Sequence, residues 1–509
     1  MACVAVRLAY LLSDRDRFNG DEAATGVLVQ RILHGHFYLF FPGQNYGGTL
    51  EQYLAAFVYY VFRLPQNRFT LRLPELVLAG ATAALVYAVG RRALPTSTHA
   101  VIAALLFAAG PWYNVQDVMA MGFYTLSQTL AVAGLYLAVR ISDDPDRRRW
   151  ALLFGLTAGL AYWNALIAAY ALVPALLWLL PVLRRRLRLV PLIAAGAIVG
   201  AAPLYPWMIR TGHVLPLPNK SVKIGLPDRL ANLGGPVLRE FTGLGITDGD
   251  PQPGIALAAV ETVLALLLVG WLTLVWTRRR GLGALARLDL ANRSPLDMAI
   301  LAVPVTALLY LTSTSSIWIV DPKYLLSAYP MWAILLAALI PFRRGIGLIG
   351  AAVLLIAVTA GLTIRYFGNT AWQVSHNGWA GQSTLPNSRQ RDAQLAKAID
   401  YCVAHGDTAL YSNYWTAMPT KYLARDRLTV GTLYGRERFP EVEPALRAAP
   451  DIAYVINTKD PETLELVSLL ERKHISFQTH RFGPTIEVLD HVGSGGRPED
   501  LHVLSSPPF

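Results

Sequence analysis

Cysteine and charge are both scarce in this sequence of 509 residues. Its two cysteines, Cys3 and Cys402, are too few for a framework of disulfide bonds, which excludes the small disulfide-stabilised folds. Charged residues make up 16% of the chain, whereas soluble domains carry about a quarter, and 54% of the residues are hydrophobic. The composition therefore excludes an ordinary soluble protein.

Long apolar segments without lysine or arginine account for this composition. Two examples are AVETVLALLLVGWLTLVW and IGLIGAAVLLIAVTAGLTI. A helix needs roughly 20 mostly apolar residues to cross a bilayer, because lipid offers the backbone no hydrogen-bond partners. The sequence therefore predicts a polytopic α-helical membrane protein.

The net charge of +11 is carried by short basic loops between the apolar segments, such as Arg91-Arg92 and the RRRLR motif at 184–188. Residues 366–509, by contrast, hold 14 basic and 16 acidic side chains. Basic residues in short loops mark the cytoplasmic side of a membrane protein. We therefore expect a multi-pass protein of the plasma membrane with a cytoplasmic N-terminus, surrounded by lipids, and no nucleic-acid partner.

With the basic loops in the cytoplasm, about eleven spans are predicted. They lie near residues 1–13, 73–90, 98–116, 119–139, 150–163, 165–182, 189–210, 256–277, 297–315, 323–341 and 345–365. The opening MACVAVRLAYLLS lacks the layout of a signal peptide and is short for a span. It is therefore either partly interfacial or preceded by further residues in the natural protein.

The spans form a predicted transmembrane domain, 1–365, with two long extracytoplasmic loops. The first loop, 14–72, is predicted to carry two surface-lying helices, at about 21–34 and 49–62. The second of these helices is apolar but too short to span, which is typical of interfacial segments. The second loop, 211–255, is rich in proline and glycine and could cover a site.

Residues 366–509 read as a small extracytoplasmic α/β domain, because helix and strand patterns alternate there. The predicted helices are QLAKAIDYCVAHG and DPETLELVSLLERKH, and the predicted strands are TALYS, IAYVINT, ISFQTHRF and TIEVLDHV. This domain shows neither a glycine-rich phosphate loop nor a metal-ligand spacing. The aromatic YSNYW motif, 411–415, could stack on a glycan, although such aromatics are more often part of a core.

Two adjacent carboxylates, Asp21 and Glu22, follow the first apolar segment. A structural interpretation is that Asn19 caps a helix, with Glu22 at the spacing of a capping box and Asp21 favouring the helix dipole. A functional interpretation starts from the cost of charge at a membrane boundary, where charged groups must be solvated, paired or used. The charged candidates predicted on the extracytoplasmic side are Asp21, Glu22, Glu51, Arg63, Arg72, Asp117, His213 and Lys323.

The motifs NGDEAATGVLVQRILHGHFY, GGTLEQYLAAFVYYVFRLPQNRFTLRLPELVLAG and DPKYLLSAYP occur in this order along the chain. The ordered set resembles GT-C glycosyltransferases of the protein O-mannosyltransferase and aminoarabinose-transferase type, over most of residues 1–365. This resemblance implies a GT-C-like fold and an inverting transfer of a hexose or pentose from a polyprenyl-phosphate donor. The acceptor would be a hydroxyl group of a protein, a glycolipid or a polysaccharide.

Carried over by position, the resemblance makes Asp21 the general base that takes the proton of the acceptor hydroxyl. Glu22 would orient the acceptor or support the helix. Lys323, with Tyr324 beside it, would neutralise the departing lipid phosphate, and Arg72 is a second phosphate candidate.

Asp117 falls where related enzymes place an acid that binds the sugar or a metal. Tyr46, Glu51 and His213 are further candidates for the acceptor side or for the covering loops. No metal ligands are assigned, a divalent metal stays open, and no other cofactor is indicated. The sequence departs from the family at Lys323, where arginine is frequent, and at YGGTLEQ, which replaces a KPP-like stretch.

Two other classes of protein compete with an enzyme. A transporter or flippase of lipid-linked saccharides would be expected to have charges or broken helices at mid-membrane. A non-catalytic scaffold would leave Asp21 and Lys323 without a role. The predicted spans are nearly free of charge and the acids lie at their outer boundary, which favours surface chemistry and hence the enzyme.

Overall fold

The computed structural model describes residues 1–13, 18–116, 119–120, 122–216, 224–245, 251–252, 254–313, 322–340, 346–368, 388–434 and 437–503. Helices dominate up to residue 368, and a sheet flanked by helices occupies residues 388–503. We refer to these two regions as the N-terminal part and the C-terminal part.

The N-terminal part contains the helices α1 to α18 and one small hairpin. The helices are α1 Ala2–Leu12, α2 Gly20–Leu33, α3 Leu50–Phe62, α4 Arg68–Leu71, α5 Leu73–Ala93, α6 Ser97–Ala109, α7 Trp112–Gln116, α8 Tyr124–Asp143, α9 Arg148–Asn164, α10 Ala169–Arg185, α11 Leu189–Ala201, α12 Tyr205–Thr211, α13 Leu226–Asn232, α14 Leu238–Phe241, α15 Leu257–Ala286, α16 Leu296–Thr312, α17 Tyr329–Leu339 and α18 Ile346–Gly368. The hairpin pairs β1, Phe40–Phe41, with β2, Gln44–Gly48, and a 3₁₀ turn, Pro322–Ala328, precedes α17.

Helices overlap every predicted span, so the prediction of a polytopic membrane protein is confirmed. Within the described ranges, five helical segments are long and apolar enough to cross a membrane: Arg68–Ala93, Leu166–Arg185, Leu189–Thr211, Leu257–Ala286 and Ile349–Gly368. Shorter apolar helices include α1, α6 and α16. The count of eleven spans and the orientation of the chain stay predictions.

Helices α9 and α11 pack closely because each presents two glycines four residues apart. Gly155 and Gly159 of α9 face Gly196 and Gly200 of α11. A Cβ atom on Gly155 would lie 2.0 Å from the Ile193 carbonyl oxygen, so any side chain there would push the helices apart. Small residues commonly permit such contacts between membrane helices. The contact fixes α9, whose C-terminal end packs against β2.

The C-terminal part is built around a five-stranded sheet of order β4-β3-β5-β7-β6. Its elements are α19 Ser388–His405, β3 Ala409–Asn413, α20 Tyr414–Ala424, β4 Thr429–Leu433, α21 Glu443–Ala448, β5 Ile452–Asn457, α22 Pro461–Arg472, β6 Gln478–Arg481 and β7 Ile486–Asp490. Strand β3 runs parallel to β4 and β5, so the carboxyl ends of these three strands share one edge. The sequence patterns predicted α19, β3, β5, α22, β6 and β7 but missed α20, β4 and α21.

The first loop helix, predicted to lie on the membrane surface, is buried. Asn19 caps α2 as predicted, since its side chain accepts a hydrogen bond of 2.9 Å from the Glu22 N–H. The residues from Glu22 to Gln30 are nevertheless buried, because α20 packs along α2 and Gly26 leaves room for the Tyr422 ring. Helix α3, by contrast, exposes large apolar side chains: Phe57, Tyr60, Val61 and Phe62.

Candidate active site

Asp21, in the first turn of α2, is contacted by three polar side chains from distant parts of the chain. The Tyr414 hydroxyl donates a hydrogen bond of 2.7 Å to Oδ1. Arg438 Nη2 lies 3.4 Å from Oδ1, and Lys323 Nζ lies 3.8 Å from Oδ2. The side chain of Asp21 is 16% exposed, and those of Lys323 and Arg438 are 20% and 18% exposed. The cluster is therefore mostly buried yet reaches solvent.

The charges around Asp21 keep its carboxyl group ionised. Burial raises the pKa of this group, but the positive charges of Lys323 and Arg438 and the hydrogen bond from Tyr414 outweigh burial. The pKa of Asp21 therefore lies below the ordinary value of 3.8. Burial raises the pKa of Tyr414, so this residue remains a neutral donor.

Lys323 is held among aromatic rings in the 3₁₀ turn before α17. Its Nζ lies 5.4 Å from the centre of the Tyr324 ring and 5.9 Å from that of Tyr124. These two rings meet edge to face, with their centres 5.8 Å apart. A cation within about 6 Å of an aromatic ring is attracted to its face. The structure thus brings Lys323 and Tyr324, both predicted site residues, to Asp21.

Tyr46 of β2 lies at the same cluster. Its ring packs edge to face against Phe123, with the centres 5.9 Å apart. Burial, and next the neighbouring Tyr324, raise the pKa of the Tyr46 hydroxyl, while the charge of Lys323 lowers it. The Tyr46 hydroxyl is therefore neutral and partly buried. It lies close enough to Lys323, the predicted phosphate-binding residue, for the charge of Lys323 to affect its pKa.

Arg438 was missed at the sequence level, and its position depends on the residue before it. Glu437 accepts hydrogen bonds from the N–H groups of Thr432, at 3.1 Å, and Phe439, at 2.9 Å. Lys421 Nζ donates to the same carboxylate at 2.7 Å, and both side chains of this pair are almost fully buried. Recognising β4, which the sequence patterns missed, would have given a signal, since Arg438 follows this strand and the carboxyl ends of parallel strands are common places for binding residues.

Glu22 and Arg72 form a bidentate ion pair beside the cluster. Arg72 Nε lies 2.5 Å from Oε1 and Nη2 lies 2.6 Å from Oε2, with the two side chains 1% and 0% exposed. The Ala120 N–H also donates to Oε1, at 3.2 Å. The pair joins α2 to the start of α5 and to the segment before α8.

The remaining predicted residues lie in different surroundings. Glu51 is buried, and its Oε2 accepts a hydrogen bond of 2.9 Å from the Leu126 N–H in the first turn of α8. His213 is exposed, and its ring centre lies 6.3 Å from that of Trp207. Asp117 lies outside the described residues. Over the described ranges, no group of three or more His, Cys, Asp or Glu side chains could hold a metal ion.

A chain of buried hydrogen bonds supports the turn that carries Lys323. Gln128 Nε2 donates to the Leu326 carbonyl oxygen at 2.8 Å and to Asn114 Oδ1 at 2.9 Å. The Asn114 carbonyl oxygen accepts a hydrogen bond of 2.5 Å from Arg7, which is fully buried in α1. Helices α1, α7 and α8 are thereby linked to the turn.

We expect Gln128→Leu to destabilise the protein by about 1–3 kcal/mol, because it leaves two buried acceptors without their donor. Thermal unfolding in detergent would measure the change. Gln478→Leu, an exposed position on β6, is the matched control and should be close to neutral. Equal unfolding temperatures for the two variants would show that the hydrogen bonds of Gln128 do not support the turn.

The chain is similar to proteins of known architecture. Residues 49–210 match the family model described as dolichyl-phosphate-mannose-protein mannosyltransferase. The fold is similar to ArnT from Cupriavidus metallidurans bound to undecaprenyl phosphate, with 14% identity, a TM-score of 0.63 and coverage of 99% of this chain and 98% of that chain. The apo structure of ArnT gives 14% identity, a TM-score of 0.62 and the same coverage. A comparison with curated proteins found no match. The chain thus has the fold of the GT-C glycosyltransferases, which confirms the resemblance that its motifs indicated.

Proposed function

We propose that the protein is an inverting glycosyltransferase that moves a sugar from a polyprenyl-phosphate donor to a hydroxyl acceptor on the extracytoplasmic face of the membrane. The observation that carries the proposal is the ionised Asp21 carboxylate facing Lys323 and Arg438 in a partly buried cluster. A carboxylate can take the proton of a hydroxyl group, and cations can stabilise a departing phosphate. The likeness of the fold to ArnT, whose structure has undecaprenyl phosphate bound, supports a donor whose sugar is linked to a lipid phosphate.

In the proposed reaction, the acceptor oxygen forms a bond with the anomeric carbon while the bond from that carbon to the phosphate oxygen breaks. Asp21 takes the hydroxyl proton. The electron pair of the broken bond stays on the polyprenyl phosphate, and Lys323 stabilises the resulting charge. Attack from the side opposite the leaving group inverts the anomeric carbon.

Donor binding would also make Asp21 a better base. In the donor-free protein, Lys323 and Arg438 hold the pKa of Asp21 down. A phosphate group next to the same cations would offset their charge, and the proton affinity of Asp21 would rise. The base is then strongest when the donor is in place.

The other predicted residues take supporting roles in this proposal. Glu22 and Arg72 hold α2 in position through their buried pair. Tyr46 and Tyr324 line the space next to Lys323, where the donor sugar would lie. Asp117, Glu51 and His213 stay predictions without an assigned contact to substrate.

The proposal is tested with purified protein in liposomes, radiolabelled polyprenyl-phosphate sugars and host membrane extract as the source of acceptor. We expect the label to move to an acceptor, with release of an equimolar amount of polyprenyl phosphate. A transporter would instead move the intact lipid-linked sugar across the bilayer without releasing polyprenyl phosphate. That result would contradict the proposal and favour a flippase.

Lys323→Gln is expected to lower the transfer rate about tenfold to a hundredfold, because a charge-assisted hydrogen bond contributes about 1.5–3 kcal/mol. Initial rates with a fixed donor would measure the loss. Lys397→Gln, an exposed position on α19, should leave the rate unchanged. If the two variants were equally active, Lys323 would have no part in stabilising the leaving phosphate.

The pH dependence of transfer follows from the lowered pKa of Asp21. The base must be ionised, so the acid limb that belongs to Asp21 in kcat/KM for the donor, which reports on the donor-free protein, is expected below pH 3.8. Because the folded-state pKa lies below the unfolded one, the same interactions stabilise the fold at neutral pH and are lost as the pH falls through the folded-state value. Titration of Asp21 should therefore not change kcat/KM between about pH 7 and about pH 4. Lys323→Gln removes a charge that lowers the pKa of Asp21, so it should move the acid limb to higher pH. A wild-type limb above about pH 5 would contradict the assignment.

A further inference from the structure

Arg438 has hydrogen-bonding capacity that its described neighbours do not use. Its Nη2 lies 3.4 Å from Asp21 Oδ1, and its Nη1 donates to the Pro42 carbonyl oxygen at 3.3 Å. Both distances exceed the usual 2.7–2.9 Å, roughly, of charge-assisted hydrogen bonds, and a guanidinium group carries five N–H donors. Within the described part of the chain, Arg438 therefore makes one loose contact with a carboxylate and keeps donors for another anion.

The guanidinium group is also held in one orientation. Its Cζ lies 4.7 Å from the centre of the Tyr414 ring and 5.5 Å from that of the Phe41 ring. Glu437 fixes the backbone on both sides of it, as described above. A planar cation placed in advance loses little freedom when it binds, and its fork of donors matches a phosphate group.

Arg72 provides the contrast. Both arms of its guanidinium fork already meet Glu22, at 2.5 and 2.6 Å, and its side chain is 1% exposed. Arg438 is 18% exposed and faces the same carboxylate as Lys323. The second phosphate-binding cation is therefore better sought in the C-terminal part than at Arg72.

We propose that Arg438 is the second phosphate-binding residue of this site and acts together with Lys323 on the donor. This inference rests on the proposed function. It means that the site is completed by both parts of the chain, because the 3₁₀ turn before α17 supplies one cation and the segment after β4 supplies the other. The phosphate binds to the Arg438 donors that Asp21 and the Pro42 carbonyl oxygen leave unused, beside the Asp21 carboxylate.

The test measures the affinity of the purified full chain for two lipids, a polyprenyl phosphate and the polyprenyl alcohol of the same length. We expect the wild type to bind the phosphate more tightly than the alcohol. Arg438→Gln should weaken phosphate binding tenfold or more, and Arg438→Lys, which keeps the charge but loses the fork, should fall in between. Binding of the alcohol should not change in either variant, which shows that both are folded. Arg427→Gln, a surface position paired with Asp400, should bind both lipids as the wild type does.

The outcomes separate the inference from the function on which it rests. If the wild type does not distinguish the phosphate from the alcohol, the proposed function fails as well. If the wild type prefers the phosphate and Lys323→Gln loses this preference while Arg438→Gln keeps it, the assignment of Arg438 alone is overturned. The assignment is also overturned if Arg438→Gln shifts the pH profile of transfer without weakening phosphate binding, because Arg438 would then act only on the pKa of Asp21.

Discussion

Asp21→Asn is expected to reduce the rate of sugar transfer at least about a hundredfold, since general-base catalysis contributes about 10²–10⁴. Asparagine has nearly the same shape and can still accept the hydrogen bond from the Tyr414 hydroxyl, but it cannot take a proton. The effect should appear in the transfer step. Rates at saturating donor, with wild type and variant at matched expression, would measure it.

Asp426→Asn is the control for this substitution, because Asp426 is highly exposed and its contact with His34 is a long surface pair. It should transfer sugar at the wild-type rate. An acid in the first turn of a helix typically contributes about 0.3–1 kcal/mol through the helix dipole, so Asp21→Asn should cost little stability by that route. Unchanged transfer by Asp21→Asn would reduce Asp21 to a residue that favours the helix dipole.

Glu22→Gln is expected to destabilise the protein by about 3–5 kcal/mol, because it leaves the Arg72 guanidinium buried without its counter-charge. Chemical or thermal unfolding in detergent would measure the loss. Glu441→Gln is the matched control, since Glu441 pairs with Arg31 at 3.6 Å near the surface, where an ion pair is worth about 0–1 kcal/mol.

A double variant sharpens this prediction. Replacing both members of the pair, as in Glu22→Leu with Arg72→Met, removes the unpaired charge and should recover much of the lost stability. Should Glu22→Gln instead unfold like the wild type while its transfer rate falls, Glu22 would act on the acceptor, which is the other role that the resemblance allows. The assignment of a structural role to the Glu22–Arg72 pair would then be wrong.

Local patterns in the sequence were sufficient for most of the elements and for part of the site. A span needs a long apolar segment, so the membrane helices could be located from composition alone. The helix cap at Asn19 depends on residues three apart, and the structure contains it. Asp21, Lys323 and Tyr324 could be named because they lie in motifs that resemble a family, and the fold brings them to one cluster.

Tertiary structure alone decided which residues meet. The sequence of α2 has the polar first turn and apolar spacing of a surface helix, but α20 from the far end of the chain covers it. Arg438 and Tyr414 reach Asp21 for the same reason, since the carboxyl ends of β3 and β4 face α2. The pairing of Glu22 with Arg72 likewise depends on how α2 packs against the start of α5. Periodicity records whether a segment is helical or extended, whereas contacts between distant residues depend on packing, which no local pattern contains.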